Sequence, residues 1–294
     1  MEHMKLSIIT INYNNAAGLK KTLDSVAMQT CTDFEHIIID GASTDNSINI
    51  IQEYQQSLAS NLSPLTSRLK WLSEPDTGIY NAMNKGVRMA IGEYTLMLNS
   101  GDYLVDENVI GKIMSQLDGT DIIQGNRLEL VNRVIYCNSG YGKSNISYFD
   151  VMKGHFLHQA SFCRRDLFDR FGFFDENFRI IGDTKFFMVC LGIGNASFRY
   201  VDINICNYDM NGVSAEIVNG KWNIERGKEE TQLRRELYPE RLLNFFYNNE
   251  KKIRLYDKLH KHKWIWYMVM LITHLHDWLY IQDEDVKRRK LGTI

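Results

Sequence analysis

The residue types best suited to chemistry fall in two segments, Ser73-Glu-Pro-Asp-Thr-Gly-Ile-Tyr-Asn-Ala-Met-Asn-Lys-Gly86 and Leu98-Asn-Ser-Gly-Asp102. The first sets an acidic turn against a helix start, and the second leaves a lone carboxylate after an apolar run. Thr10, Asn12 and Asn14 close an earlier apolar run, and Asp40 closes another just ahead of Ser43-Thr44-Asp45. Carboxylates and amides at successive strand ends lie where open α/β sheets bind their ligands, the pattern of a sugar-nucleotide site. Short polar side chains there accept from a base imide N–H or hold ribose hydroxyls, although Asp40 and Asp45 also suit the caps of a turn or helix.

The elements that must position these residues alternate along the chain. Leu6-Ser-Ile-Ile-Thr-Ile11 has the unbroken apolar character of a strand buried on both faces. Helical spacing follows over 19–28, a second strand over 34–40, a helix over 45–58, a third strand over 69–72, a helix over 79–90 and a fourth strand over 94–98. Strand and helix in alternation predict a parallel sheet with right-handed crossovers, a Rossmann-like nucleotide-binding half. Beyond Asp121 the pattern loosens into short strands, with β-branched alternation over Arg127 to Cys137 and a strand over Ala160 to Cys163. From Trp222 onward it turns helical and basic. The reading divides the chain into a catalytic domain, 1–215, and a helical extension, 216–294.

With 294 residues, 44% of them hydrophobic, the chain is long enough for a substantial core. Net charge is −2, unevenly spread: residues 1–220 hold 18 Lys/Arg against 25 Asp/Glu, and residues 221–294 hold 16 against 11. The basic tail favours an anionic surface or is a solvated helical face. Cys31, Cys137, Cys163, Cys190 and Cys206 are scattered with no CxxC pair, which favours reduced thiols over disulfides or a zinc site. The first apolar run is too short for a signal peptide, so the expected location is cytoplasmic.

Two phosphate-binding motifs are missing. Gly142-Lys143-Ser144 has Cys137 where a P-loop needs its first glycine, and no GxGxxG follows Ile11.

The motif Ser7-Ile-Ile-Thr-Ile-Asn-Tyr-Asn14, the run Ile39 to Asp45, the two segments above, and the later His158-Gln159, Phe174-Asp-Glu-Asn-Phe178 and Gly182-Asp183 together resemble glycosyltransferase family 2. The resemblance covers about two thirds of the chain and leaves out the tail. It implies a GT-A fold, a mostly parallel Rossmann-like sheet flanked by helices. It also implies a nucleotide-sugar donor, most often a UDP-sugar. By that match Thr10, Asn12 and Asp40 contact the nucleoside, while Asp76 and the segment from Asn81 through Lys85 to Gly86 line the donor pocket. Asp102 is the metal carboxylate for Mn2+ or Mg2+, cations that need few protein carboxylates when phosphates supply the other oxygens. Asn99 and Gly101 stand where two further aspartates often occur, and Asn81 where Asp is frequent. Asp183 matches the base of an inverting displacement, with a helix cap as the other reading. His158 faces the acceptor or the diphosphate, or is structural.

The run from Trp264 to Ile281 is aromatic and apolar, but holds His274, His276 and Asp277 and has basic flanks. It reads as a peripheral membrane anchor on the inner face of the cell membrane, or as a helix at a homodimer contact. Its aromatics alternate with long aliphatics, so no nucleic-acid partner is expected. The implied activity is transfer of a sugar to a hydroxyl of a glycan or lipid-linked glycan. The alternative is an inactive sugar-nucleotide-binding scaffold.

Overall fold

Strand β1 (Leu6–Asn12) is buried at every position, because both of its faces are covered and no side chain meets water. It pairs in parallel with β2 (Glu35–Asp40) on one side and β4 (Tyr94–Met97) on the other, and β2 pairs in parallel with β3 (Leu69–Ser73). Helices α1 (Ala16–Ala27), α2 (Ser47–Ser60) and α3 (Ile79–Met89) connect these strands. The computed structural model describes residues 4–131, 134–209, 217–218, 221–260 and 271.

Two local features seat the helices. Asn15 caps α1 by accepting from the Gly18 amide. At Gly86 on α3 a Cβ would stand 2.3 Å from Ile9 Cγ2, so glycine lets α3 lie close against β1. The main core gathers Leu6, Ile8, Leu19, Leu23, Phe34, Ile38, Ile51 and Tyr94 between the sheet and its helices. Each such side chain contributes roughly 1.5–3 kcal/mol by leaving water.

The second half is mixed. Short β5 (Tyr103–Leu104) and α4 (Val109–Met114) lead to β6 (Ile122–Val131) and β7 (Val134–Asn138), an antiparallel pair where the sequence shows β-branched alternation. Next come α5 (Tyr148–Lys153), β8 (Ser161–Arg164), α6 (Asp166–Phe171), α7 (Gly182–Met188) and β9 (Phe198–Tyr208). Among the described residues, strand order is β3-β2-β1-β4-β8-β6-β9-β5, with β7 also on β6. β8 runs antiparallel to both β4 and β6, while β6 and β9 run parallel.

Contacts divide the chain into two compact units, Met1–Leu237 and Tyr238–Ile294. The first ends with α8 (Ile224–Leu237), and the second opens with α9 (Glu240–His260). Of the aromatic tail run 264–281, all but Leu271 lies outside the described residues. No helix among the described residues is long and apolar enough to cross a membrane. All five cysteines are free thiols.

Candidate functional site

Asn12, Asp40 and Ser73 end three adjacent strands in register. Asp40 is fully buried and accepts from Asn12 Nδ2 at 2.8 Å, Ser43 N at 2.9 Å, Ser43 Oγ at 2.6 Å and Ser73 Oγ at 2.8 Å. Burial alone would raise its carboxyl, but the bonds from Ser43, Asn12 and Ser73 outweigh it and hold it below the usual carboxylate value. Those four donors fill the roughly four acceptor positions of a carboxylate. Asn12 Nδ2 also reaches Ser43 Oγ and Ser47 Oγ, whereas its buried Oδ1 has no partner. Asn14 Oδ1 accepts from Thr44 N, and Asp45 accepts from Ala16 N and Ser47 N, so these residues lace two strand-end loops together. Tyr13 projects its ring beside Gly41, 69% exposed.

Thr10 is not brought to this surface. It is fully buried and bonds His36 Nε2 at 3.0 Å, while His36 Nδ1 meets Tyr54 Oη. Thr10 shares its strand face with the core residues Leu6 and Ile8 and lies two residues short of the strand end, so it stays within the sheet.

Lys85 closes the acidic turn. Its Nζ lies 2.6 Å from Asp76, 2.8 Å from Glu74 and 2.9 Å from the Pro75 carbonyl. Asn81 Oδ1 accepts from Thr77 N at 3.4 Å and its Nδ2 donates to Glu176 at 2.9 Å. An aspartate at 81 would set one carboxylate against another, which gives the amide there a physical reason. Buried Asn84 donates to the Phe174 carbonyl and to Glu176.

Beyond β4, the backbone of Leu98 and Ser100 continues the bonding to β1, which fixes the loop through Asp102. Gly101 has φ +107°, and a Cβ on it would stand 2.9 Å from Asp209 Oδ2. Asp102 is 4% exposed and accepts from Asp209 N at 2.9 Å. Burial pushes its carboxyl up to about 7, against the opposing effects of the Asp209 amide and of His158 and Arg127. The buried Asn99 Oδ1 has no partner, while Asn99 Nδ2 sits 3.3 Å from His158 Nε2. Asp102, Asp209 and Asn99 Oδ1 offer hard oxygens to a divalent cation. Among the described residues no cluster of three or more His, Cys, Asp or Glu forms a complete cage, so a cation there would depend on ligand oxygens as well.

Asp183 lies in the first turn of α7, 8% exposed, and does not cap it. Its Oδ1 accepts from Tyr80 Oη at 2.9 Å, and its Oδ2 lies 2.6 Å from His158 Nδ1. The Nδ1–H tautomer of His158 satisfies both contacts, donating to Asp183 and accepting from Asn99. Burial acts to raise the Asp183 carboxyl, but the electrostatic effect of His158 and the bonds from His158 and Tyr80 prevail and hold it below the usual range. Burial and the Asp183 charge push Tyr80 well above its ordinary value, so its hydroxyl remains a donor. Behind this group, Phe168 stacks on Phe186 with centroids 4.5 Å apart, which anchors α7. Asp183 and His158 line a cavity of about 530 Å³ together with Arg127, Glu129, Asn138 and Tyr208.

The sequence pattern points to Thr10, Asn12, Asp40, Asp76, Asn81, Lys85, Asn99, Gly101, Asp102, His158 and Asp183, of which Thr10 lies in the interior, and it does not point to Tyr80, Asp209 or Glu229. Glu229 accepts the backbone N–H groups of Arg179, Ile180 and Ile181, which precede Gly182-Asp183. Nothing in its charged helix separates it from a solvated face.

The profile of glycosyl transferase family 2 matches residues 7–142. A PGL/p-HBAD biosynthesis glycosyltransferase of Mycobacterium bovis (strain BCG / Pasteur 1173P2) is 30% identical over 219 residues, 72% of this chain and 80% of that protein. An uncharacterized glycosyltransferase of Mycobacterium tuberculosis is 30% identical over 218 residues, 71% of this chain and 77% of that protein. Among solved structures, S. aureus TarS 1-349 in complex with UDP-GlcNAc has TM-score 0.60 at 21% identity, covering 73% of this chain and 61% of that one. The mannosyltransferase PcManGT from Pyrobaculum calidifontis, in complex with GDP-Man and Mn2+, has TM-score 0.56 at 16% identity and covers 80% and 64%. The chain therefore spans about three fifths of those two solved chains. Their likeness shows the GT-A fold, and the chain belongs to glycosyl transferase family 2.

Proposed function

We propose that this family 2 glycosyltransferase is an inverting enzyme that moves a sugar from a UDP-sugar to a hydroxyl of a glycan or lipid-linked glycan. One observation carries the reading: Asp183, bonded by Tyr80 and His158, faces the cavity while His158 also touches Asn99, three residues from Asp102. A base and a leaving-group pole so placed flank one reacting carbon. The solved relatives with UDP-GlcNAc and GDP-Man support a nucleotide-sugar donor.

In this reading the acceptor occupies the cavity and its hydroxyl donates to the remaining lone-pair capacity of Asp183. As the hydroxyl proton passes to that carboxylate, the acceptor oxygen bonds the anomeric carbon from the side opposite the diphosphate. The bond to the diphosphate breaks, its electron pair leaves with the nucleotide, and the anomeric configuration inverts. A base placed in this way contributes roughly 10²–10⁴-fold.

Asn12 Oδ1 offers the open acceptor for a nucleoside N–H, since Asp40 is saturated and serves to hold Asn12. The Tyr13 ring supplies a flat apolar wall. Asp76 and Lys85 shape the donor pocket, and Asn81 ties that pocket to the Glu176 turn. Asp102, with Asp209 and Asn99 beside it, would hold Mn2+ or Mg2+, which supplies neutralisation of the diphosphate charge. The supporting observation is the unpartnered, buried Asn99 Oδ1 in the same loop as the buried Asp102, whose N–H bonds the Asn99 carbonyl. Work at the cytoplasmic face of the membrane, as a peripheral protein or a homodimer, completes the proposal.

Calorimetric titration with UDP, GDP, dTDP and CDP, with and without Mn2+, tests it. UDP binding strengthened by Mn2+ is the expected result. Binding of none of the four would overturn the donor reading and favour the inactive scaffold.

A further inference from the structure

Helix α8 lies outside the family motifs and beyond the catalytic boundary expected at residue 215, yet it grips the segment that carries Asp183. Glu229, 8% exposed, accepts three consecutive backbone N–H groups: Arg179 at 2.7 Å, Ile180 at 2.9 Å and Ile181 at 3.1 Å. The carbonyl of Ile180 lies on the other side 2.7 Å from Tyr80 Oη, whose single proton is shared between that carbonyl and Asp183 Oδ1 at 2.9 Å. One peptide is therefore fixed at its N–H by Glu229 and at its C=O by the tyrosine that bonds the base.

The grip recurs one turn into α7. Lys185 Nζ meets Glu236 at 2.8 Å and Asp175 at 2.6 Å. Glu229, buried Leu233 and Glu236 follow one another at i, i+4 and i+7, so a single face of α8 makes the contact. A plain packing contact would be met by Leu233 alone. A buried carboxylate spent on three orphan amides fixes direction and distance as well, because charge-assisted bonds are short and aligned.

We propose that Glu229 is a positioning residue that sets Asp183 against the acceptor hydroxyl, acting through the backbone of residues 179–181. This inference rests on the assignment of Asp183 as base. Displacing a reacting group by about 1 Å costs on the order of 10²-fold in rate, which gives the scale of the expected effect.

The test compares Glu229→Gln, Asp183→Asn and the double variant. Turnover is read as UDP released from UDP-GlcNAc with a set of p-nitrophenyl glycosides as acceptors. Beside it run UDP titration with Mn2+, thermal midpoints and amide exchange at residues 179–181. Glu225→Gln, an exposed change on the same helix, is the control.

Glu229→Gln is expected to lower kcat about 30- to 100-fold. Donor KM, UDP affinity and the thermal midpoint should stay near parent, and exchange at 179–181 should quicken. In the Asp183→Asn background the same change should add nothing, because a residue acting through the base has no effect once the base is gone. An equal loss in both backgrounds, an unchanged kcat, or a matching loss of UDP affinity overturns the inference. Asp183→Asn turning over at the parent rate overturns the base assignment and this inference together, an outcome separate from additivity on an inactive Asp183→Asn.

Discussion

Two buried carboxylates, Asp102 beyond β4 and Asp183 on α7, sit in regions built by different rules. Asp183 has a phenol, an imidazole and the fixed start of a helix around it, and stays ionised. Asp102 has one backbone amide from Asp209 and is pushed up to about 7 by burial. The base region completes its own electrostatics, whereas the donor region leaves a deficit that a bound cation would meet. A ligand should accordingly alter the donor half more than the base half.

The sharpest way to break that contrast is Asp183→Asn. Turnover should fall about 10²–10⁴-fold while UDP affinity with Mn2+ stays within about twofold. A large loss of nucleotide affinity would show that the two regions are not separable.

Next in size is Gly101→Asp, which adds the acidic residue often found at this position in the family. The backbone at φ +107° and the Asp209 carboxylate 2.9 Å from a new Cβ oppose it. Chemical denaturation should show a loss of about 1–3 kcal/mol with no gain in Mn2+ affinity. A tighter Mn2+ complex at parent stability would mean that the missing charge, and not the backbone, governs this loop.

The smallest expected effect is a pH dependence. A carboxyl whose folded pKa is raised stabilises the protein below its unfolded value, and that contribution is lost as pH rises through about 7. Asp183, held low, contributes above its unfolded value and loses that as pH falls through its folded one. Mn2+-assisted UDP binding should therefore gain up to about tenfold per pH unit approaching 7 and level off above 8. In ligand-free protein, Asp102→Asn should raise the thermal midpoint at pH 8 and change little at pH 5. A flat profile would remove Asp102 from the donor region's deficit.

What the sequence made legible follows the same division. Asn12 and Asp40 end β1 and β2, and Asp76 follows the end of β3 by three residues, so their place at one sheet edge is a consequence of the α/β alternation. Thr10 was expected among them, but it lies two residues short of the end of β1, within the sheet, where it bonds His36. On the base side, Tyr80 meets Asp183 across 103 residues, and Glu229 meets Ile180 across 49. No local period marks such partners, because each element alone is an ordinary helix. Asn81 illustrates both halves. Its position was readable from its motif, and the reason for an amide appears only when Glu176 arrives beside it.

Helix α3 starts at the donor turn and also supplies Tyr80, Asn81 and Asn84 to the segment 174–183. Chimeras that borrow a foreign loop to change sugar preference should therefore keep their crossover points outside 78–84. A join inside that window would inherit a new donor turn and discard the scaffold of the old base. Recombination between relatives faces the same restriction, so the turn and the 174–183 segment are best exchanged as a matched pair.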